Sequence, residues 1–229
     1  MTIIRHHTCP NCGTKVNIPV NAGDVIACET CEQAFRIPQS FTPAPPAGYP
    51  ISRVNFRRKS YPGWKMLNED KLTFEKGELI ATFPKEDLFY PVMRTYSIYE
   101  DFDVSVGIRF LKGNRDHIHA GLEIRSGSHG DYVVSISPQQ TFRIGYHIGT
   151  DWGGNLSSWR THNALKEGFD VDNHLRIIGK GTQIRVYLNG VFAAEIQDDR
   201  FPSGRIRLVL VPKKKRTVIA FRQLELREA

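Results

Sequence analysis

Helical periodicity is what this chain most lacks. Almost nowhere in its 229 residues do apolar side chains recur at three- and four-residue spacing, which excludes helical bundles and alternating α/β folds. No apolar run approaches the ~20 residues that a membrane-spanning helix needs. The first residues, MTIIRHHTCPNCG, show no basic segment leading into an apolar one, so the expectation is a cytoplasmic protein without membrane insertion. Gly-x-Ser-x-Gly, P-loop and dinucleotide fingerprints are all absent, which removes the common hydrolase, NTPase and dehydrogenase signatures. Cysteine is scarce as well: there are four, all within the first 31 residues. That excludes a disulfide framework spread over a secreted domain and leaves a local metal pattern.

What is present is enough apolar residue, 40%, to build a packed core. The net charge of +7 and isoelectric point of about 9.3 favour anionic partners, nucleic acid among them. The cations are scattered except for Lys213-Lys214-Lys215-Arg216. That cluster lies between two predicted strands and reads as a solvated hairpin tip. The clearest local signal lies just before it. Two alternating runs, Ile184/Val186/Leu188 and Phe192/Ala194/Ile196, flank Asn189-Gly190, the pair that a tight hairpin turn with positive φ prefers. Apolar runs at 174–179, 205–211 and 217–226 extend this into a predicted β meander.

The four cysteines form Cys9-Pro-Asn-Cys12 and Cys28-Glu-Thr-Cys31, with fifteen residues between the pairs. Two C-x2-C knuckles suit a structural, tetrahedral Zn²⁺ held by Cys9, Cys12, Cys28 and Cys31, with no open position for catalysis. A module this short cannot bury a sufficient core, so the metal would supply its folding free energy. Gly13 follows the first knuckle, where positive φ is needed; Glu32 stands at the matching place in the second. His6 and His7 are expected in solvent. CPNCGTKVNIPVNAGDVIACETCEQAFRIP resembles the zinc ribbons at the N-termini of many bacterial multidomain proteins. Residues 1–38 are therefore read as a zinc ribbon. Residues 39–61 are read as a Pro-rich linker followed by the basic, aromatic lead-in RVNFRRKSY, and 62–229 as the main domain.

In the main domain, strands are predicted near 71–75, 78–83, 93–98, 102–110, 117–125, 131–137, 140–148, 174–180, 182–188, 191–197, 204–211 and 217–226, with a long loop over 149–170. The expected fold class is all-β, a jelly-roll sandwich. Several segments carry a family resemblance: Asp101-Phe102-Asp103-Val104-Ser105-Val106, Ala120-Gly121-Leu122-Glu123-Ile124-Arg125, Gly130-Asp131-Tyr132-Val133-Val134, Asn173-His174-Leu175-Arg176-Ile177, Val186-Tyr187-Leu188-Asn189-Gly190 and Gly204-Arg205-Ile206-Arg207-Leu208. In this order they resemble the concanavalin A-like lectin/glucanase superfamily, in particular its 3-keto-disaccharide hydrolase-like branch. The resemblance implies a ligand face on one sheet, and the superfamily it points to contains enzymes, sugar-binding modules and pure interaction domains.

Alternation sorts the central strands into two faces. Val104, Val106, Ile108 and Phe110, then Ala120, Leu122 and Ile124, face the core. If the strands are neighbours, Arg109, His119, Glu123, Arg125, Arg143 and His147 share a polar face, overhung by Trp152 and Trp159 from the loop. Rings stack on the apolar faces of sugars, and guanidinium groups grip oxyanions. The plain alternative is a solvated sheet face. For catalysis, Glu123 with His119 or His147 is the candidate acid/base pair. However, the polar face offers only Glu123 and Asp103 as carboxylates, and the E-x-D-x-x-E pattern of laminarinase-type relatives is missing. His117 and His119 alone do not make a metal site. Asp198-Asp199 and the 170–173 loop are the places that leave room for Ca²⁺. The expected function is thus a non-catalytic binding protein docking a protein partner or glycan. A sugar-active enzyme of the 3-keto-glycoside hydrolase type is the alternative, and a nucleic-acid-binding accessory protein using the basic segments the second.

Overall fold

The structure is a computed structural model that describes residues 5–8, 11–18, 25–36, 47–84 and 89–229. The chain folds as two compact units, Met1–Thr42 and Pro43–Ala229. The 39–46 part of the expected spacer lies outside the described residues, as does Cys9.

The first unit consists of two short antiparallel hairpins. Strand β1 (Arg5–Thr8) pairs with β2 (Lys15–Ile18), and β3 (Val25–Ala27) with β4 (Ala34–Arg36). The first hairpin turn carries Cys12 and the second Cys28 and Cys31. The only described apolar cluster here is Val16 and Cys28 with Cys31 against them, too little to stabilise a fold alone.

The second unit is a two-sheet sandwich. One sheet runs β17 (Val191–Gln197), β16 (Gln183–Leu188), β15 (Asp172–Lys180), β10 (Phe102–Lys112), β19 (Thr217–Arg227), β8 (Glu78–Phe83), β7 (Leu72–Glu75), and β5 (Pro50–Val54) pairs with the far end of β19. The other runs β14 (Asp151–Thr161), β13 (Thr141–Ile148), β12 (Gly130–Ile136), β11 (His119–Ser126), β18 (Arg205–Val211), β9 (Tyr90–Thr95), β6 (Trp64–Met66). All pairings are antiparallel. The alternation read from the sequence is the packing seen: Val104, Val106, Ile108 and Phe110 of β10 and Ala120, Leu122 and Ile124 of β11 all belong to one fully buried core cluster. No helix among the described residues is long and apolar enough to cross a membrane.

Four expectations change. Half of the 149–170 loop is β14, an eleven-residue edge strand; two adjacent glycines and polar residues mask its alternation. The 53–61 lead-in belongs to the sandwich. Its β5 pairs with β19, and Phe56 and Tyr61 are buried in the core cluster. The meander stops at β17, because β18 crosses to the other sheet. Lys213–Arg216 is therefore a sheet-to-sheet connection rather than a hairpin tip.

The Asn189-Gly190 hairpin forms as predicted, with φ of 49° and 82°. Asn189 does more than turn. Its Oδ1 accepts the His174 N–H at 2.6 Å, and its Nδ2 donates to the Ala164 carbonyl at 2.6 Å and to Asn173 Oδ1 at 2.8 Å. Buried Asn173 in turn holds both the N–H and the C=O of Lys166. Replacing Asn189 with Ala leaves these groups unsatisfied, so Asn189→Ala should lower unfolding free energy by about 2–4 kcal/mol in urea titrations.

Candidate functional site

The candidate site is the outer face of the seven-stranded sheet. Antiparallel sheets commonly leave such a face to solvent, yet here its centre is buried: Glu123 is 2% exposed, Asp131 4%, His119 7% and Ser135 0%. Longer side chains from the flanking strands cover it.

β11, β12, β13 and β18 bring together a cluster of ionisable groups. Glu123 is in register with Arg207 on β18, whose guanidinium lies 3.3 Å from Glu123 Oε2. Asp131 is in register with His147, whose Nδ1 lies 2.7 Å from Asp131 Oδ1. Ligating atoms of Glu123, Asp131 and His147 all lie within 4.8 Å of one another, so one proton can serve both carboxyls. Burial, and then the neighbouring Asp131, push Glu123 up to about 9 despite Arg207. Burial alone would raise Asp131 too, but contacts with His147 and Glu123 and the nearby positive charges outweigh it and hold its carboxyl below the ordinary value. Glu123 thus carries the proton and Asp131 the charge at neutral pH. The trio has a donor set suited to a cation, but Arg207 and the shared proton already balance its charge.

The other half of the site is aromatic. β14 lies along β13 and places Trp152 and Trp159 on either side of Arg143. The guanidinium carbon is 4.3 Å from the Trp152 ring centre and 5.0 Å from that of Trp159. Each such contact is worth about 0.5–2 kcal/mol. Burial lowers Arg143 to about 10, still charged at neutral pH. His119 meets the Trp159 edge at 5.3 Å, and His147 meets Trp152 at 5.2 Å and Phe89 at 5.2 Å. Burial first, and the Arg143 and Lys213 charges second, hold His119 well below its usual value, so its ring is neutral. Gly145 makes this possible, because a Cβ there would run into the Trp152 ring. Both tryptophans remain about two-fifths exposed, Trp152 at 42% and Trp159 at 40%.

The structure therefore unites His119, Glu123, Arg143, His147, Trp152 and Trp159 and removes two predicted members. Arg109 lies on β10 in the other sheet, where it pairs with Glu78, Asp170 and Asp172. Asp103 is on that sheet too, gripped by Arg176 at 2.7 and 2.8 Å. Sequential strands β10 and β11 belong to opposite sheets, which period-2 alternation does not reveal. Arg125 is lost for a different reason. A register shift follows Glu123, Arg125 takes φ of 53°, and its buried guanidinium turns to the carbonyls of Phe201, Glu100 and Gly181. Asp131 and Arg207 went unselected, although continuing the alternation of their own strands places both outward. His117 meets Lys214 Nζ at 2.8 Å, away from His119. Three of the carboxylates considered for calcium have other partners: Asp170 pairs with Arg109, Asp172 with Arg222, and Asp198 accepts from the Tyr132 hydroxyl at 2.6 Å.

In the first unit, Cys12, Cys28 and Cys31 converge, with sulfurs within 4.8 Å of one another and 3.6 Å between those of Cys12 and Cys28. Sulfurs at the corners of a tetrahedron ~2.3 Å from a zinc stand about 3.8 Å apart, so the three residues fit a metal. Both knuckles take the same left-handed turn, Gly13 at φ 74° and Glu32 at 56°. Contacts with the Thr14 hydroxyl and backbone N–H lower the Cys12 thiol to about 6, and the backbone N–H groups of Cys31 and Thr30 lower Cys28.

No protein-family model and no curated protein matches the sequence. Solved structures do match in fold. A protein of unknown function with a galectin-like fold from Bacillus subtilis superposes with a TM-score of 0.62 at 12% identity, covering 80% of this chain and 97% of that one. The laminarinase catalytic domain from Thermotoga maritima gives 0.62 at 10% identity, covering 80% and 100%. The carbohydrate-binding module CBM66 from Bacillus subtilis gives 0.57 at 16% identity, covering 73% and 96%. The fold is thus a jelly-roll β-sandwich of the galectin and glucanase kind.

The proton on Glu123 generates a pH prediction. Below about pH 4.5 the group is protonated folded or unfolded. As pH rises toward 9 the unfolded chain releases the proton while the fold retains it, so this site loses stability with rising pH. Glu123→Gln removes that penalty. The variant should match the wild type near pH 4.5 and gain about 2–4 kcal/mol by pH 8, read from melting temperature against pH. A flat difference would refute the assignment of the proton.

Proposed function

We propose that the chain is a non-catalytic binding protein whose jelly-roll unit takes a glycan on the outer face of the seven-stranded sheet. The observation that carries this is the Trp152–Arg143–Trp159 stack. Two large rings are held by a cation between them and stay about two-fifths open to solvent. Rigid aromatic surface with few rotamers lost on binding suits the apolar face of a sugar ring. Resemblance in fold to a carbohydrate-binding module and to a laminarinase supports the reading. Glu123 and Asp131 do not suit a glycosidase pair, since such carboxyls flank the scissile bond rather than share a proton. Glycan-array binding followed by titration tests it. Trp152→Ala and Trp159→Ala should each weaken binding about tenfold or more, and Gly145→Ala should do the same by displacing Trp152. Unchanged affinity in all three would refute the site.

One observation favours a second reading, a sugar-active enzyme of the 3-keto-glycoside hydrolase type. A neutral carboxyl beside an ionised one is the arrangement an acid/base pair requires. Turnover of 3-keto-glycosides that vanishes in Glu123→Gln would establish it over the binding reading.

For the first unit we propose a structural zinc held by Cys12, Cys28 and Cys31, with Cys9 as the fourth ligand. When bound, the ion would supply the folding energy that the small apolar cluster cannot. Purified protein should retain one equivalent of zinc, and Cys12→Ser should lose it, as measured by elemental analysis. Cytoplasmic location is part of the same proposal, because structural thiolate sites keep their ligands in a reducing compartment.

A further inference from the structure

The flank of the same sheet face opposite the tryptophans carries a row of cations that the sequence pattern left scattered. Lys65 on β6 is in register with Arg94 on β9, and Arg94 is in register with Arg207 on β18. Their neighbours Trp64, Met66 and Met93 are in the core cluster, so the three cations point outward together. Arg205 lies two residues before Arg207 on the same side. Like charges directly opposed on neighbouring strands destabilise a sheet. Among the described residues, Lys65, Arg94 and Arg205 have no ion-pair partner. Arg207 has only Glu123, and its Nε and that of Arg205 are buried without a hydrogen-bond partner. The carboxyl that faces Arg207 shares its proton with Asp131 and so returns little negative charge to the row.

We infer that this row, Lys65–Arg94–Arg207 with Arg205, binds the acidic groups of an anionic polysaccharide, carboxylate or sulfate, lying across the sheet face. The inference rests on the glycan-binding reading and narrows it. Guanidinium groups spaced at the ~4.8 Å strand interval offer repeated forks to planar or tetrahedral oxyanions. Counted in strand spacings, Arg207 and Trp152 stand about 20 Å apart on one face, so a chain of several sugars would reach both. A glycan is favoured over nucleic acid because the row shares its face with the two rings on which the glycan reading rests.

The test uses the full chain and paired probes that differ only in charge: polygalacturonate against its methyl ester, and dextran sulfate against dextran, with a single-stranded DNA oligonucleotide beside them. The variant is Arg94→Gln with Lys65→Gln. The control, Lys112→Gln with Lys180→Gln, removes the same charge from exposed positions on the other sheet. The wild type should prefer the charged member of one pair at least about tenfold, and that pair tells carboxylate from sulfate. The preference should vanish in the variant, survive in the control, and weaken as salt rises. Equal binding of charged and uncharged glycans overturns the inference and leaves the glycan reading standing. Equal losses in variant and control overturn it in favour of net charge alone. Tighter binding of the oligonucleotide, lost in the same variant, overturns it in favour of nucleic acid. Binding of no glycan, with these probes and on a glycan array, removes both.

Discussion

The dry layer between the two sheets is the constraint on which the rest of the jelly-roll unit depends. Val104, Val106 and Ile108 from one sheet and Ala120, Leu122 and Ile124 from the other are wholly buried there. Each fully buried large apolar side chain is worth about 1.5–3 kcal/mol. Their alternation fixes the parity of every central strand, because a one-residue slip would drive Glu123, Asp131 and Arg207 into the core. The polar face is therefore a consequence of the apolar one. Where parity breaks at Arg125, a side chain leaves the face and ties carbonyls together at the end of the sandwich.

The face is not a simple solvated surface. Arg143 between two tryptophans, and Arg207 beside a carboxyl that holds its proton, bury polar groups that would otherwise lie in water. Buried polar groups are tolerated when each has a partner. On one half of the face Asp131 and His147 pair, while His119 Nδ1, Ser135 Oγ and Arg143 Nε lack a hydrogen-bond partner among the described residues. On the other half Lys65, Arg94 and Arg205 have no ion-pair partner among the described residues, and Arg207 has only Glu123.

Much of this could be read in advance. Asn189-Gly190 announced its turn because few residue pairs tolerate two positive φ values, and strands with clean alternation announced their inward sets. The long edge strand β14 was missed because Gly153-Gly154 and a run of polar residues mask its period. Trp152 and Trp159 were selected all the same, as large rings in a polar stretch. Arg109 was misplaced because alternation assigns a face to a strand but not a sheet. Asp131 and Arg207 were overlooked although their own strands place them outward, since only their cross-strand partners make them notable.

By itself, the sequence determined which side of each strand is apolar, where the tight turn falls, and that the cysteines come in two metal-type knuckles. These are local properties, set by residues a few positions apart. Only the tertiary structure decided which strands are neighbours. That choice sends β10 and β11 to opposite sheets, brings β18 and β9 beside β11, and lays β14 along β13. The proton shared by Glu123 and Asp131 and the cation held between two rings arise across consecutive paired strands, and the row of Lys65, Arg94 and Arg207 arises from side chains far apart in the chain. Their energies depend on distances of a few ångströms across strands, which no local pattern encodes.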